Sequence, residues 1–368
     1  MKFMGSKRWM LQNGLGTLIA REVQSADRFL DLFSGSGAVA THVAMKYSVP
    51  VAAYDLQTFS AVLTRAIVGR EAKVDAEDLW KNWYPRARAL RNKFRPPSGV
   101  KVDRANVKRH RQWSAQQDWT LTKSYGGHYF SSLQAVWLDA LRLTLPEDDP
   151  GKTVALAALV QAASMCAAAP GHTAQPFQPT RTAKPFLLDA WHKDMVSSCQ
   201  KALSMIADQH AKIQGIAEVA DANEIATSTK KGDLVFIDPP YSGVHYSRFY
   251  HVLETLARGR CSDVSGRGRY PTPQERPRSK YSLQTESLEA LGDLFQSISF
   301  RGAKAIVTFP LRHCSNGLSG QSVAGLAKKY FNMEQSWVTS KFSTLGGNND
   351  HRHARRATRE LILVLKPN

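Results

Sequence analysis

The chain has 368 residues, and its 49 Lys and Arg against 31 Asp and Glu give a formal net charge of +18 at pH 7. This length suits one catalytic domain that carries an insert, and a composition that is 43% hydrophobic and 22% charged excludes overall disorder. The excess of positive charge predicts a polyanionic partner such as a nucleic acid.

The cysteines and the apolar segments predict a soluble protein of a reducing compartment. The four cysteines lie far apart and form no CxxC pair, which argues against a disulfide framework and a structural zinc site. They are Cys166, Cys199, Cys261 and Cys314. No apolar run follows the basic segment MKFMGSKRWM, so it predicts no secretory signal. The Ala-rich run 153–170 is interrupted by Gln161 and Ser164, which predicts a buried helix rather than a membrane span. We therefore expect a cytoplasmic protein with no membrane partner.

Short apolar runs of β type predict the strands of a largely parallel sheet. They span residues 28–33, 51–55, 234–238, 303–309 and 361–365. Near-continuous apolar character is typical of strands that are buried on both faces. Helical periodicity at 38–47 and 287–299 alternates with these strands. This alternation predicts an α/β fold with a doubly wound, Rossmann-like sheet, in which ligands bind beyond the carboxyl ends of the strands.

The middle of the chain departs from this rhythm and predicts an inserted domain. It is basic, rich in tryptophan and then mainly helical, so we assign residues 1–60 and 215–368 to a catalytic domain and 61–214 to the insert. Between residues 81 and 123, 12 Lys and Arg stand against only Asp103 and Asp118, a local excess of +10. A solvated helix face and a nucleic-acid surface both fit such a cluster, and the interleaved aromatic residues also fit the core of a small domain.

Basic stretches supply candidate contacts to a phosphate backbone. The candidates in the insert are Arg104, Lys108, Arg109 and Arg111. Residues 258–280 are rich in Gly, Pro and Ser and predict a mobile loop, which carries Arg267 and Arg269. A third stretch spans residues 346–359, where His351 and His353 lie among arginines and favour phosphate contact or solvent over a metal site.

The segment 31–37, DLFSGSG, ends a predicted strand and opens a predicted helix. Its glycines allow a ligand to approach the backbone closely, as a dinucleotide or a nucleoside cofactor requires, although tight helix packing gives the same pattern. Asp55 ends the next strand, where an acid either accepts hydrogen bonds from ribose hydroxyls or caps a helix.

The tetrapeptide Asp238-Pro239-Pro240-Tyr241 directly follows a hydrophobic strand and is the most specific signal in the chain. Two prolines fix the backbone, so the turn holds a carboxylate, exposed carbonyls and an aromatic ring at the end of the strand. The N6 lone pair of adenine is delocalised into the ring and is a poor nucleophile. Acceptors on both N6 hydrogens favour a geometry that releases this pair to an electrophile. The Asp238 carboxylate and the Pro239 carbonyl are the candidate acceptors, with Tyr241 stacked on the base.

The chain resembles the S-adenosylmethionine-dependent DNA adenine-N6 methyltransferases of the D12 class, or alpha type. The resemblance lies in the order and spacing of KFMGSK at residues 2–7, DLFSGSG, Asp55 and DPPY. The resemblance covers about residues 1–60 and 215–368 and implies a target-recognition region inserted ahead of DPPY. It also implies S-adenosylmethionine as cofactor, double-stranded DNA as partner and no metal. We expect a monomer, which suits an enzyme that flips one adenine out of the duplex.

The resemblance also implies roles for individual residues. The catalytic residues would be Asp238, Pro239, Pro240 and Tyr241. Phe3 and Lys7 would border the methionine end of the cofactor, and the residues lining its bed would be Asp31, Phe33, Ser34, Gly35 and Gly37. Asp55 would hold the ribose, and Asp221 would either lie near the cofactor's adenine or cap a helix. Phe249 or Tyr250 would either stack in the DNA or pack in the core.

These residues favour a site-specific or non-specific DNA adenine-N6 methyltransferase in a restriction-modification or phage-defence context. The reaction needs alignment of amine, methyl and sulfur rather than a metal or a strong base. Three alternatives stay open: methylation of adenine in RNA, methylation of cytosine N4, and a nucleic-acid-binding scaffold that has this fold without turnover.

Overall fold

A computed structural model describes residues 3, 5, 7–99, 103–343 and 355–368, and it divides into two compact units. We call Met4–Ala72, His210–Tyr246 and Pro277–Asn368 the sheet unit, and Met1–Phe3, Lys73–Gln209 and Ser247–Arg276 the helical unit. Most of the third basic stretch, with His351 and His353, lies outside the described residues.

The sheet unit contains a mixed seven-stranded sheet with the order β3-β2-β1-β4-β5-β7-β6. The strands β1 to β5 are parallel, and β7 runs antiparallel to both β5 and β6. The strands are β1 (Arg28–Asp31), β2 (Val51–Asp55), β3 (Ile216–Val219), β4 (Asp233–Ile237), β5 (Lys304–Pro310), β6 (Phe331–Ser343) and β7 (Arg355–Pro367). This arrangement confirms the predicted α/β class and is consistent with a methyltransferase fold.

Most of the regular structure outside the sheet is helical. In chain order the helices are α1 (Arg8–Gln12), α2 (Leu15–Val23), α3 (Ala38–Lys46), α4 (Thr58–Val68), α5 (Ala76–Arg91), α6 (Arg104–Ala115), α7 (Thr120–Tyr125), α8 (Ser132–Leu143), α9 (Gly151–Cys166), α10 (Lys184–His192), α11 (Met195–Ala207), α12 (Ala222–Ala226), α13 (Tyr246–Arg258), α14 (Ser287–Phe300) and α15 (Gly320–Ala327). Within the described part of the chain, each of these helices is too short or too polar to cross a membrane. The predicted buried helix is α9, and its apolar residues are buried on nearly all sides.

Hydrophobic clusters cover both faces of the sheet. Alternate residues of β4 point to opposite faces, so Leu234 and Phe236 pack in the cluster that includes α2 and α3, whereas Val235 and Ile237 pack with α12, α14 and α15. Burial on both faces explains why this strand has no polar alternation in the sequence. The carboxyl ends of the strands remain as the edge where loops meet a ligand.

Two strands escaped prediction because their sequences lack a continuous apolar run. In β3 only Ala217 is buried, and β6 is an edge strand whose described side chains are mostly exposed. The prediction for the last strand covered only the buried part of β7, at residues 361–365. Sequence periodicity thus finds strands that are buried on both faces and passes over exposed ones.

The helical unit contains α5 to α11 and nearly all of α13. Its aromatic residues are largely core: Trp83 and Tyr125 are fully buried, and the Trp83 indole donates to the Leu141 carbonyl at 3.0 Å. The unit boundaries differ from those predicted, since α4 belongs to the sheet unit and Ser247–Arg276 to the helical unit. Helix α4 stays with the sheet because Arg65 donates to the Ala217 carbonyl of β3 at 2.7 Å.

Candidate active site

Four carboxylates mark the carboxyl ends of four neighbouring strands. Asp31 and Asp55 are the last residues of β1 and β2, Asp238 directly follows β4, and Asp221 lies two residues beyond β3. Because the sheet order is β3-β2-β1-β4 and neighbouring strands lie about 4.8 Å apart, these acids extend over roughly 14 Å along one edge. The parallel topology therefore brings together the residues that the sequence singled out far apart.

Asp55 accepts hydrogen bonds that fix the loop between β1 and α3, residues 32–37, which we call the glycine loop. Gly35 N–H donates to Asp55 Oδ2 at 2.8 Å, and Gln57 N–H donates to Asp55 Oδ1 at 2.9 Å. Gly37 has a φ of 72°, and a Cβ atom there would lie 2.6 Å from Thr64 Oγ1, so both conformation and space require glycine. Each carboxylate oxygen can accept more than one hydrogen bond, so Asp55 can hold this loop and still accept from a ligand hydroxyl.

Polar side chains around this loop are buried without a hydrogen-bond partner among the described residues. They are Ser34 Oγ, Gln57 Oε1, Ser60 Oγ and Thr64 Oγ1. Buried polar atoms normally have a hydrogen-bond partner. A set of unpaired polar atoms near one loop therefore suits a ligand that carries hydroxyl and amino groups. The residues present are thus suited to hold a nucleoside cofactor.

Asp31 supports the loop from beneath. It is buried and accepts the Phe33 N–H at 3.3 Å. Burial raises the pKa of Asp31 to about 8, and the nearby Asp238 and Asp55 carboxylates add to the increase. At neutral pH this carboxyl is therefore largely protonated, unlike an ordinary surface acid.

Replacing Asp31 by Asn should raise stability above pH 8. The folded-state pKa of about 8 exceeds the ordinary aspartate value of 3.8, so the contribution of Asp31 to stability is complete below pH 4 and is lost as the pH rises through 8. A shift of this size corresponds to at most about 6 kcal/mol. We expect the melting temperature of Asp31→Asn to exceed that of the unmodified chain by several degrees at pH 9, with the gap closing towards pH 5. The exposed Asp293→Asn is the control, and a gap that does not change with pH would refute the assignment.

Asp221 caps α12 and is linked to the glycine loop through aromatic and amide groups. Its Oδ1 accepts the Asn223 N–H at 2.9 Å, and Tyr281 Oη donates to Asn223 Oδ1 at 2.6 Å. The Tyr281 ring in turn meets Phe33 edge to face, with centroids 5.0 Å apart. Neither Tyr281 nor Asn223 was predicted, since neither stands in a motif.

The DPPY turn is held by the N-terminal segment. Gly5 has a φ of 74°, and a Cβ atom there would lie 2.5 Å from Tyr241 Oη, so only glycine lets this segment lie against the ring. Tyr241 is buried and meets Phe309 of β5 edge to face, with centroids 6.4 Å apart. Within the KFMGSK motif, Gly5 therefore lies against the aromatic ring of DPPY.

Lys7 contacts the DPPY aspartate. Its ammonium lies 2.9 Å from Asp238 Oδ1 and 3.1 Å from Glu360 Oε2, and it donates to the Gly5 carbonyl at 3.4 Å. Three oxygen atoms therefore surround the ammonium, two of them from carboxylates. The resemblance implied that Lys7 borders the methionine end of a cofactor. In the structure the Lys7 ammonium forms ion pairs with the carboxylates of Asp238 and Glu360.

Residues after β5 clamp the DPPY turn from the other side. Asn316 Nδ2 donates to the carbonyls of Pro240 at 2.9 Å and Tyr281 at 3.0 Å, and Gly243 N–H donates to Ser315 Oγ at 2.9 Å. Asn316 is fully buried. These contacts restrain the turn further than its two prolines alone, and no sequence motif predicts them.

Phe3 and Tyr250 lie together in the helical unit. Their rings stack with centroids 4.7 Å apart and an interplanar angle of 8°. Tyr250 is buried, which favours the core role over a stacking contact with DNA. The implied place of Phe3 beside a cofactor stays a prediction.

The basic candidates differ in exposure. Arg104, Lys108, Arg109 and Arg267 are exposed, although Arg109 also donates to the Ser98 carbonyl at 2.8 Å and to Asn106 Oδ1 at 2.9 Å, whereas Arg111 and Arg269 are half-buried. Arg111 donates to the Gly127 carbonyl at 2.9 Å, and Arg269 donates to the Ser124 carbonyl at 2.8 Å. These two guanidinium groups donate to backbone within the helical unit, and their contact with phosphate stays a prediction.

The predicted mobile loop is anchored in the structure. Tyr129 Oη donates to the Gly268 carbonyl at 2.8 Å, and His251 Nε2 lies 2.9 Å from the same oxygen. Tyr270 Oη donates to the Ala174 carbonyl at 2.6 Å. Lack of periodicity in this segment reflects irregular backbone that buried hydrogen bonds fix in place. Among the described residues, no group of three His, Cys, Asp or Glu side chains is placed to hold a metal ion.

Comparisons with known proteins show similarity to DNA methyltransferases. Residues 180–309 match the family model of D12 class N6 adenine-specific DNA methyltransferases. The chain is 24% identical over 314 residues to the type II methyltransferase M.FokI of Planomicrobium okeanokoites, covering 82% of this chain and 43% of that protein. It is 26% identical to modification methylase LlaI of Lactococcus lactis, covering 82% and 45%, and 26% identical to the type II methyltransferase M.NlaIII of Neisseria lactamica, covering 82% and 81%. The chain thus spans less than half the length of the first two relatives.

Proposed function

We propose that the chain transfers a methyl group from S-adenosylmethionine to the N6 amine of an adenine in DNA, and the match of residues 180–309 to the D12 class N6 adenine-specific DNA methyltransferases supports this proposal. The observation that carries this proposal is the position of Asp238, at the end of β4 and next in the sheet to the glycine loop of β1. An acceptor for the target amine and a bed for a nucleoside cofactor therefore lie side by side.

The cofactor would be held by groups that the chain leaves available. Ser34 Oγ and Gln57 Oε1 are buried at the glycine loop without a hydrogen-bond partner among the described residues, and the Asp55 carboxylate would accept hydrogen bonds from the ribose hydroxyls. Bound there, S-adenosylmethionine would supply an electrophilic methyl group on a sulfonium, with the neutral thioether as the leaving group.

The chain's part in the reaction is to orient the amine. The described partners of Asp238, Lys7 and Thr308, both contact Oδ1, so Oδ2 is the oxygen we assign to an N6 hydrogen. The Pro239 carbonyl takes the second hydrogen, and the clamped turn keeps both acceptors in place. After transfer, the extra N6 proton leaves to solvent.

We propose that double-stranded DNA is the substrate and that the helical unit binds and reads it as the target-recognition region. The target adenine is flipped from the duplex, because the reacting amine cannot reach Asp238 inside a base stack. The names of the relatives support a role in restriction-modification. A monomer suffices for this chemistry.

The direct test is incubation of the purified chain with S-adenosylmethionine and long unmethylated DNA, followed by mass spectrometry of the nucleosides. We expect N6-methyladenine, and single-molecule sequencing of the product then shows whether it marks a motif. N4-methylcytosine would redirect the proposal to the other exocyclic amine, and methylation of RNA alone would redirect it to the other polymer. No methylated nucleoside with the cofactor bound would contradict it.

The exposed basic residues of α6 should control the salt dependence of DNA binding. In the variant Arg104→Gln/Lys108→Gln/Arg109→Gln, we expect the slope of log K against log salt to fall by about 2 to 3, because each lost phosphate contact removes about 0.9. The control neutralises Lys231, Lys328 and Lys329, which are exposed near the amino ends of β4 and β6. Equal slopes for the two triple variants would place the α6 cluster on a solvated face.

A further inference from the structure

A second carboxylate lies at the candidate catalytic centre. Glu360 of β7 is opposite Pro310 of β5 in the sheet, and its Oε2 lies 3.1 Å from the Lys7 ammonium. The side chains of Lys7, Asp238 and Glu360 are only 4%, 16% and 11% exposed. One cation is therefore shared by two anions away from bulk water, so the group has a net charge of −1.

We propose that Glu360 is a positioning residue: it balances the charge of Lys7 so that Asp238 can present a full negative charge to the target amine. This inference rests on the proposed function. If Lys7 were paired with Asp238 alone, the ion pair would be neutral. The positive charge of Lys7 would then cancel the negative charge that Asp238 presents to the N6 amine. With Glu360 beside it, Lys7 fixes Asp238 Oδ1 without cancelling its charge.

The charge matters because N6 becomes positive during transfer. The amine lone pair forms the N–C bond, and the positive charge moves from sulfur towards N6. A fixed negative charge beside N6 stabilises that change, and it acts strongly where water is scarce. The contacts of Lys7 with Asp238, Glu360 and the Gly5 carbonyl hold the Asp238 carboxylate in place. The carboxylate therefore needs little reorganisation during the reaction.

Other titratable groups face this network from neighbouring elements. Asp31 of β1 is close enough to Asp238 to interact electrostatically, and the buried thiol of Cys314 interacts electrostatically with Glu360. The Lys7 ammonium also lies 5.9 Å from the centre of the Tyr241 ring. Burial raises the pKa of Asp238, Lys7 lowers it, and Glu360 raises it. Removal of the Glu360 charge should therefore lower the pKa of Asp238.

The test is Glu360→Gln, which keeps an oxygen for Lys7 and removes only the charge. We expect kcat to fall by 10-fold or more at its plateau and the acid limb of the pH–rate profile to move to lower pH, because Asp238 then stays ionised in more acidic solution. Calorimetric affinities for S-adenosylmethionine and DNA should stay within about 3-fold. The matched control is Glu334→Gln on β6, whose carboxylate pairs with Arg21 and Lys366 far from Asp238 in the sheet order.

The outcomes separate a positioning role from a structural one. The inference would be overturned if the pH–rate profile of Glu360→Gln had the same plateau and the same acid limb as that of the unmodified chain. A lower plateau with an unmoved limb and a lower melting temperature would also overturn it, since that result describes Glu360 as a structural anchor.

A second readout does not depend on turnover. The carboxyl carbon of ¹³C-labelled aspartate, assigned to Asp238 by its absence in Asp238→Asn, should titrate at lower pH in Glu360→Gln. An unchanged midpoint would overturn the inference even if methylation is confirmed. A chain that shows the shifted midpoint but forms no N6-methyladenine would instead contradict the proposed function.

Discussion

Asp238→Ala is expected to reduce methylation by about 10³-fold or more while leaving the affinity for S-adenosylmethionine within a few-fold. The carboxylate is assigned to the target amine, and its described contacts go to Lys7 and Thr308 rather than to the glycine loop. Its removal takes away the acceptor for one N6 hydrogen and leaves Lys7 beside Glu360 alone. The remaining Lys7–Glu360 pair is neutral, so no net negative charge would lie beside the atom that becomes positive in the reaction.

The measurement pairs single-turnover kinetics with calorimetric titration of the cofactor. Asp238→Asn tests charge apart from shape, and we expect it to be nearly as inactive as Asp238→Ala, because an amide cannot supply the negative charge. Asp293→Ala removes an exposed acid of α14 and should behave like the unmodified chain. A parallel loss of cofactor affinity in Asp238→Ala would move Asp238 from the target amine to the cofactor.

The acids at the strand ends could be located from the sequence because two general rules apply to them. Strands β1, β2 and β4 are buried on both faces and therefore form apolar runs, and Asp31, Asp55 and Asp238 stand at the ends of these runs. Parallel strands place their carboxyl ends at one edge, so residues distant in sequence meet there. The sequence thus predicted the edge of the sheet at which the candidate site lies.

Other residues of the site do not stand at the ends of apolar runs, so hydrophobic patterns in the sequence could not locate them. Glu360 is near DPPY only because β7 pairs antiparallel with β5, and nothing in the sequence states that register. Asn316 and Ser315 lie in an irregular segment, where a buried hydrogen bond has no periodic signature. Lys7 was found through its motif, but its contact with Asp238 emerged only from the fold.

Charge in the sequence did not separate binding from structural arginines. Arg104 and Arg111 stand in the same basic cluster, yet Arg104 is exposed and Arg111 donates to Gly127 and Gln178. A guanidinium has five N–H donors, so it serves phosphates and backbone carbonyls equally well. Only the position of the acceptors decides which role is fulfilled.

Asp55→Ala should weaken S-adenosylmethionine binding by about 50- to 100-fold, the loss expected for one or two hydrogen bonds to a charged group. The expected effect has two parts. The variant removes the proposed acceptor for ribose hydroxyls, and it also frees the N–H groups of Gly35 and Gln57 that shape the glycine loop and begin α4. Binding should weaken in calorimetry, and KM for the cofactor should rise with it.

Asp55→Asn separates these two parts. Its amide oxygen can still accept one of the backbone N–H groups, so the loop is partly preserved while the negative charge is lost. We expect an affinity between those of Asp55→Ala and the unmodified chain, with methylation restored at saturating cofactor. Unchanged cofactor binding in both variants would reduce Asp55 to a helix cap that closes the loop. A rate that stays low at saturation would mean that the loop set by Asp55 also orients the reacting methyl group.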